Sequence, residues 1–120
     1  MVSSATEMFR LAPRVDLRTP RSTFETFCRS ILTEQPECMF ESIHPDLRHM
    51  MQRRLQIEGH RRFFDRMKPI VSGPAGRLTL GEPREVSHTA VVCQLHRGKY
   101  EVGKAWFAFH QCQWVLSQLS

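Results

Sequence analysis

Apolar positions divide the chain into a helical first part and a stranded second part. One apolar stripe recurs at i, i+3, i+4, i+7 and i+8, the spacing of a single helix face. It consists of Phe24, Phe27, Cys28, Ile31 and Leu32. Thr19 is a good N-cap and Pro20 suits the first helical position. The pattern therefore predicts a first helix that runs to about Thr33.

Three shorter helices are expected before the strands begin. The second opens at Pro36 and closes at His44, because the residue before a proline disfavours helical backbone. The third begins at Asp46 and ends at Gly59, and the fourth begins at His60 and stops at Pro69. Their predicted core-facing residues are Met39, Phe40 and Ile43, then Leu47, Met50, Met51 and Leu55, then Phe63, Phe64 and Met67.

Alternating and β-branched residues indicate four strands after residue 76. They are 77–80 with a possible continuation to 86, 89–95, 100–110 and 114–119. Gly98 supplies the positive φ of a tight hairpin turn. The sequence thus predicts an α+β fold in which N-terminal helices pack on a four-stranded antiparallel sheet. Residues 1–18 are interpreted as an N-terminal extension and residues 19–120 as one domain.

The strand at 100–110 is apolar on both of its faces. Ala105, Phe107 and Phe109 share one face, while Trp106 and Ala108 share the other. One face meets the helices, so the other needs a second cover, either the N-terminal extension or a protein partner. We expect a homodimer or partner interface there. Its predicted residues are Trp106, Ala108, His110, Trp114 and Leu116.

The chain carries a formal net charge of +5, and most of its basic residues are arginines. A run of them falls on exposed positions of the last two predicted helices. This basic patch consists of Arg53, Arg54, Arg61, Arg62 and Arg66. It could dock an anion, an acidic protein or a nucleic acid. A solvated helix face is the simpler interpretation, and nucleic acid is not favoured because the neighbouring aromatics fit the core.

The four cysteines carry no metal or disulfide signature. Neither C-x-x-C spacing nor zinc-finger histidine spacing occurs, so we expect no metal and no cofactor. Reduced thiols are typical of a cytoplasmic protein. The N-terminus lacks the apolar core of a signal peptide, and no stretch reaches the roughly 18 apolar residues of a membrane span.

The order of elements resembles the nuclear transport factor 2-like superfamily. The matching residues are Thr19-Pro20, Pro45-Asp46-Leu47-Arg48, Thr89-Ala90-Val91-Val92, Phe107-x-Phe109 and Trp114-Val115-Leu116. The resemblance covers about residues 19–119 and is nearest to small bacterial domains of unknown function. It implies a strongly curved sheet wrapped around the first helix, a cone-shaped cavity between them, and dimerisation through the outer sheet face.

An isomerase or cyclase of this superfamily needs a carboxylate or histidine inside the cone and a hydrogen-bond donor opposite. The strands contain only Glu82, Glu85 and Glu101 as acids, none at an inner mid-strand position. We therefore expect a non-enzymatic binding or assembly module, dimeric through the outer face. The alternative is a small apolar ligand, or an isomerase-like reaction, in the cone. Its lining would be Phe24, Phe27, Ile31, Phe40, Met50, Phe63, Phe107 and Phe109.

Overall fold

The computed structural model describes residues 15–120, which form four helices followed by an antiparallel sheet. The helices are α1 (Pro20–Leu32), α2 (Pro36–Glu41), α3 (Pro45–Glu58) and α4 (His60–Val71). The strands are β1 (Ser72–Gly73), β2 (Gly76–Ser87), β3 (Ala90–Arg97), β4 (Tyr100–His110) and β5 (Gln113–Leu119). The α+β class is confirmed, with five strands in place of the four expected.

The additional strand is β1, which has only two residues. Ser72 pairs with Arg77, and Gly73 pairs with Gly76, whose φ of +116° allows the chain to reverse at once. Two residues show no alternation of apolar and polar positions, so the sequence pattern could not indicate this strand.

Local signals determine where α1 begins. The Thr19 hydroxyl accepts a hydrogen bond from the Ser22 backbone N–H at 3.0 Å, and the Ser22 hydroxyl accepts one from the Thr19 N–H at 3.1 Å. This reciprocal capping box satisfies two N–H groups that have no partner within the helix. The prediction that α1 starts with Thr19 as its cap and Pro20 in the first turn is confirmed.

The predicted end of α4 is wrong, because the helix continues through Pro69 to Val71. A proline in a helix removes one backbone hydrogen bond, and here only two residues follow it. Val71 is 1% exposed and belongs to the core, so its packing stabilises this last part of the helix.

The strands form one sheet in the order β1-β2-β3-β4-β5, curled into a half-barrel. The helices cover one side, which we call the inner face; the opposite side is the outer face. Helix α1 is tied to the last strand, since the Thr23 hydroxyl donates a hydrogen bond to the Trp114 carbonyl at 2.8 Å. The core between the two layers includes Phe27, Ile31, Phe63, Phe107 and Leu116.

Residues 15–18, the end of the predicted extension, contact the domain. Leu17 is 5% exposed, and its carbonyl accepts a hydrogen bond from the Trp114 N–H at 2.9 Å. The rest of the predicted extension, residues 1–14, lies outside the described residues. Between residues 15 and 120, no helix has the length and apolar character needed to cross a membrane.

Candidate functional site on the outer face of the sheet

The inner face of the sheet is packed against the helices. Phe27, Phe63 and Phe107 are each no more than 2% exposed and belong to one contiguous core cluster. Ile31 is fully buried in the same cluster. These side chains, which would line the cavity in the small-ligand alternative, are packed core residues. Phe40 is half-buried and packs against the same core.

Two of the predicted lining residues are not in the interior. Met50 is 60% exposed because α3 turns Leu47, Met51 and Leu55 toward the core and leaves Met50 on its flank. Phe109 is 44% exposed near the end of β4, where its ring lies 5.3 Å from the Trp114 ring. The expectation that both residues line a buried cavity is therefore wrong.

Trp114 and Leu116 lie on the inner face, so their assignment to the outer face is wrong. The turn between β4 and β5 has only two residues, which places Trp114 opposite Phe109 and Leu116 opposite Phe107. Residues directly opposite each other in an antiparallel pair share a face. Leu116 accordingly is fully buried in the core.

The outer face carries a continuous apolar surface, which we call the outer patch. Its members come from the three adjacent strands β3, β4 and β5. They are Ala90, Val92, Trp106, Ala108 and Val115. Val92 lies beside Trp106, and Ala108 lies between Ala90 and Val115. Val92 and Val115 are each 4% exposed although they lie on the face opposite the helices.

The patch differs from the expected interface in its membership. Trp106 and Ala108 belong to it and are half-buried. Val92 and Val115 were missed, although pairing the predicted strands through a two-residue turn would have placed Val115 beside Ala108. His110 lies at the end of β4 with its ring 5.1 Å from that of His44, a pairing that the sequence did not indicate.

A depression of about 240 Å³ adjoins the outer patch at Val92. Its charged and amide side chains come from β2, β3 and β4. They are Glu82, Arg84, Gln94 and Lys104. The patch therefore has a rim that contains both positive and negative charges.

Two adjoining cavities of about 230 and 330 Å³ lie between α1 and β2. Both are lined by Arg21 and Leu80, and Phe24 lines the first. Cys28 lines the first cavity of this α1–β2 cleft and Cys93 lines the second, and they are 2% and 1% exposed.

Neither of these thiols is prepared for nucleophilic catalysis. Burial raises the pKa of Cys28 to about 12, and burial also raises the pKa of Cys93. A thiol reacts as its thiolate, which these environments disfavour. The two cysteines of the cleft are therefore unsuited to nucleophilic attack.

The basic patch loses one of its five predicted members. Arg66 donates two hydrogen bonds to the Glu58 carboxylate, at 2.8 and 2.7 Å, so its charge is neutralised locally. The same contact lowers the pKa of Glu58. The other four, which are Arg53, Arg54, Arg61 and Arg62, are exposed.

Residues 15–120 contain no group of three histidine, cysteine or acidic side chains that could hold a metal ion. Comparison with known proteins gives no relative from which a role could be transferred: the sequence matches no family model, no curated protein and no solved structure.

Proposed function

We propose that this chain is a non-enzymatic assembly module of the nuclear transport factor 2-like type, and that a second copy covers its outer patch. The proposal rests on one observation: an apolar surface across β3, β4 and β5, opposite the helices, with Trp106 on the middle one of these three strands. Contiguous apolar patches of this kind usually mark contacts, and tryptophan is enriched among the residues that dominate binding energy.

The chemistry of the patch favours a second copy over a partner of one charge sign. Ala90 and Ala108 leave shallow space beside the large Trp106 side chain. In a two-fold dimer the same surface meets itself, so Trp106 of each subunit can fill the space above the other's alanines. The rim residues Glu82 and Arg84 carry opposite charges, which permits the same self-pairing.

Two further observations support a function without catalysis. The inner positions expected to line a reaction cavity are filled by packed side chains such as Phe107. The buried thiols of Cys28 and Cys93 have raised pKa values, so neither is an activated nucleophile.

Sedimentation velocity of the wild type and of Trp106→Glu tests the dimer. The wild type should sediment as a dimer of the 14.0 kDa chain at high micromolar concentration. A buried charge at the interface centre should cost more than about 2 kcal/mol, or over roughly 30-fold in the dissociation constant. Ala108→Glu should have the same effect through the neighbouring position.

The matched control is Tyr100→Glu, which adds the same charge at a side chain that is 76% exposed at the start of β4. It should leave the dimer intact. Circular dichroism melts show whether each variant is folded. A wild type that stays monomeric at high micromolar concentration, or an unchanged dimer in both folded patch variants, rules out the proposed interface.

A second candidate function is binding of a small ligand with an apolar body in the α1–β2 cleft. The cleft is favoured because two adjoining cavities share the Leu80 side chain and lie next to Arg21. Anilinonaphthalene sulfonate, an apolar anion, is a suitable fluorescent probe. Its binding to native protein should be lost in Leu80→Arg and retained in Val86→Arg, whose site on the same strand is 53% exposed. Equal binding by both variants argues against this site.

A further inference from the structure

Helix α3 lies at the periphery of the domain and presents two different faces. Its inward face consists of Leu47, Met51 and Leu55, which are half-buried against the core. The structure describes every residue of α3, and none of them is fully buried. Among residues 15–120, this stripe makes the apolar contact of α3 with the core.

A second stripe runs along the exposed flank of the same helix. Met50, Arg53, Arg54 and Ile57 occupy positions i, i+3, i+4 and i+7, so they project from one side. Met50 is 60% exposed and Ile57 is 74% exposed. This spacing is the one by which a helix presents anchors to a partner.

The charge around this stripe is strongly positive. Arg61 and Arg62 follow in the first turn of α4 and are exposed. Glu58, an acid that Arg54 also influences, accepts two hydrogen bonds from Arg66. Over residues 45–71 there are seven arginines and lysines against three acids, Asp65 among them. An incoming group therefore meets two apolar side chains bordered by arginines.

We propose that this α3 stripe is a docking surface for an acidic amphipathic segment of another protein. Apolar side chains of that segment would pack on Met50 and Ile57, and its carboxylates would receive hydrogen bonds from Arg53 and Arg54. Methionine and arginine are both enriched at protein interfaces, and the arginine fork matches a carboxylate. The partner here is a different protein, on a different surface from the proposed dimer contact.

The other anionic partners fit this surface less well. A nucleic acid gains affinity from phosphate contacts and base stacking, and it would leave the apolar side chains of Ile57 and Met50 without an apolar partner. An anionic membrane requires an apolar face that is wide enough to enter the headgroup region, whereas this stripe contains two apolar side chains. An acidic segment with its own apolar anchors contacts both the apolar side chains and the arginines of this surface.

Fluorescence anisotropy with a synthetic peptide tests this surface. The probe is a short fluorescein-labelled helical peptide with leucines at helix spacing and glutamates beside them. A scrambled peptide of the same composition has the same charge without the apolar stripe. The first peptide should bind at least about tenfold tighter than the scrambled one, because only it can bury Ile57 and Met50. Its affinity should fall as salt is raised.

Variants separate the two parts of the surface. Ile57→Ser should weaken binding about tenfold with an unchanged salt dependence, and Arg54→Glu should weaken it and flatten the salt dependence. Lys99→Glu is the charge-matched control, since Lys99 is exposed in the turn between β3 and β4, and it should change binding less than about twofold. All three positions are on the surface, so the fold should be retained.

Four outcomes overturn the proposal. They are equal binding of the scrambled peptide, no binding of the amphipathic peptide, an unchanged affinity of Ile57→Ser, and tighter binding to a duplex oligonucleotide or to anionic phospholipid vesicles than to the peptide. The last result would assign the arginines to a nucleic acid or a membrane surface instead. The dimer test with Trp106→Glu is independent of every one of these measurements.

Discussion

The turn between β4 and β5 places two ordinary residues in a strained backbone conformation. Gln111 and Cys112 are the two residues between the paired His110 and Gln113, and their φ angles are +51° and +64°. Positive φ at both positions is the pattern of a type I′ turn, which matches the twist of a hairpin but favours asparagine and glycine. Each residue with a side chain in this region costs about 1 kcal/mol or more.

Replacing Cys112 by glycine should therefore stabilise the protein. Glycine removes the backbone strain at φ +64°, which stabilises the folded state by about 1–2 kcal/mol. Its greater conformational freedom also stabilises the unfolded chain, by roughly 0.5–1 kcal/mol, and this offsets part of the effect. The expected net gain is about 0.5–1 kcal/mol. For a domain of this size that is an increase in Tm of about 2–4 °C, measured by circular dichroism and checked by urea unfolding.

Two further variants isolate the backbone as the cause. Cys112→Ser removes the thiol but keeps a side chain at positive φ, so it should not raise the Tm. Gly98→Ala makes the opposite change in the turn between β3 and β4, where φ is +63° and an added Cβ would meet no atom within 4 Å. Gly98→Ala should therefore lower the free energy of unfolding by about 1 kcal/mol, and the cause is the backbone conformation alone. A Cys112→Gly protein that melts at or below the wild-type Tm, or a Cys112→Ser protein that gains as much, refutes this reasoning.

Three further predictions concern the core, the thiols and the loss of stability at acidic pH. Phe107→Ala should lower the free energy of unfolding by about 3–5 kcal/mol, whereas Phe109→Ala, at a side chain that is 44% exposed, should cost less than half as much in the same urea titration. Cys112 should react with a thiol reagent in native protein, while Cys28, with its pKa raised to about 12 by burial, should react only after unfolding. The hydrogen bonds from Arg66 lower the pKa of Glu58 below its value of about 4.3 in the unfolded chain. The stability that these bonds provide is therefore present above that pH and is lost as the pH falls. Glu58→Gln should make the free energy of unfolding fall less between neutral pH and about pH 3.

The sequence was most informative where structure depends on neighbouring residues. The start of α1 follows from Thr19, Pro20 and an apolar stripe within the same 15 or so residues, and the structure agrees. The turn at Gly98 likewise needs only a residue that tolerates positive φ. These features require no knowledge of what lies elsewhere in the chain.

Errors arose where a residue's environment depends on a partner element. The face of Leu116 is set by the length of the turn before it, because moving the register by one residue reverses every side chain of a strand. Met50 belongs to a group of apolar residues spread widely around α3, and only the position of the core decides which of them are buried. The outer patch depends in the same way on the pairing of three strands, which the pattern of each strand alone does not specify.

The hydrogen bond between α1 and β5 has a consequence for the order of folding. Thr23 and Trp114 are 91 residues apart in the chain, yet the hydroxyl of one is hydrogen-bonded to the carbonyl of the other. Contacts of such long sequence separation slow folding. At ordinary rates of protein synthesis Trp114 is added on the order of ten seconds after Thr23. For that time the aromatic face of α1 has been made and its partner strand has not, which is the period when a nascent chain is most exposed to aggregation and to chaperones.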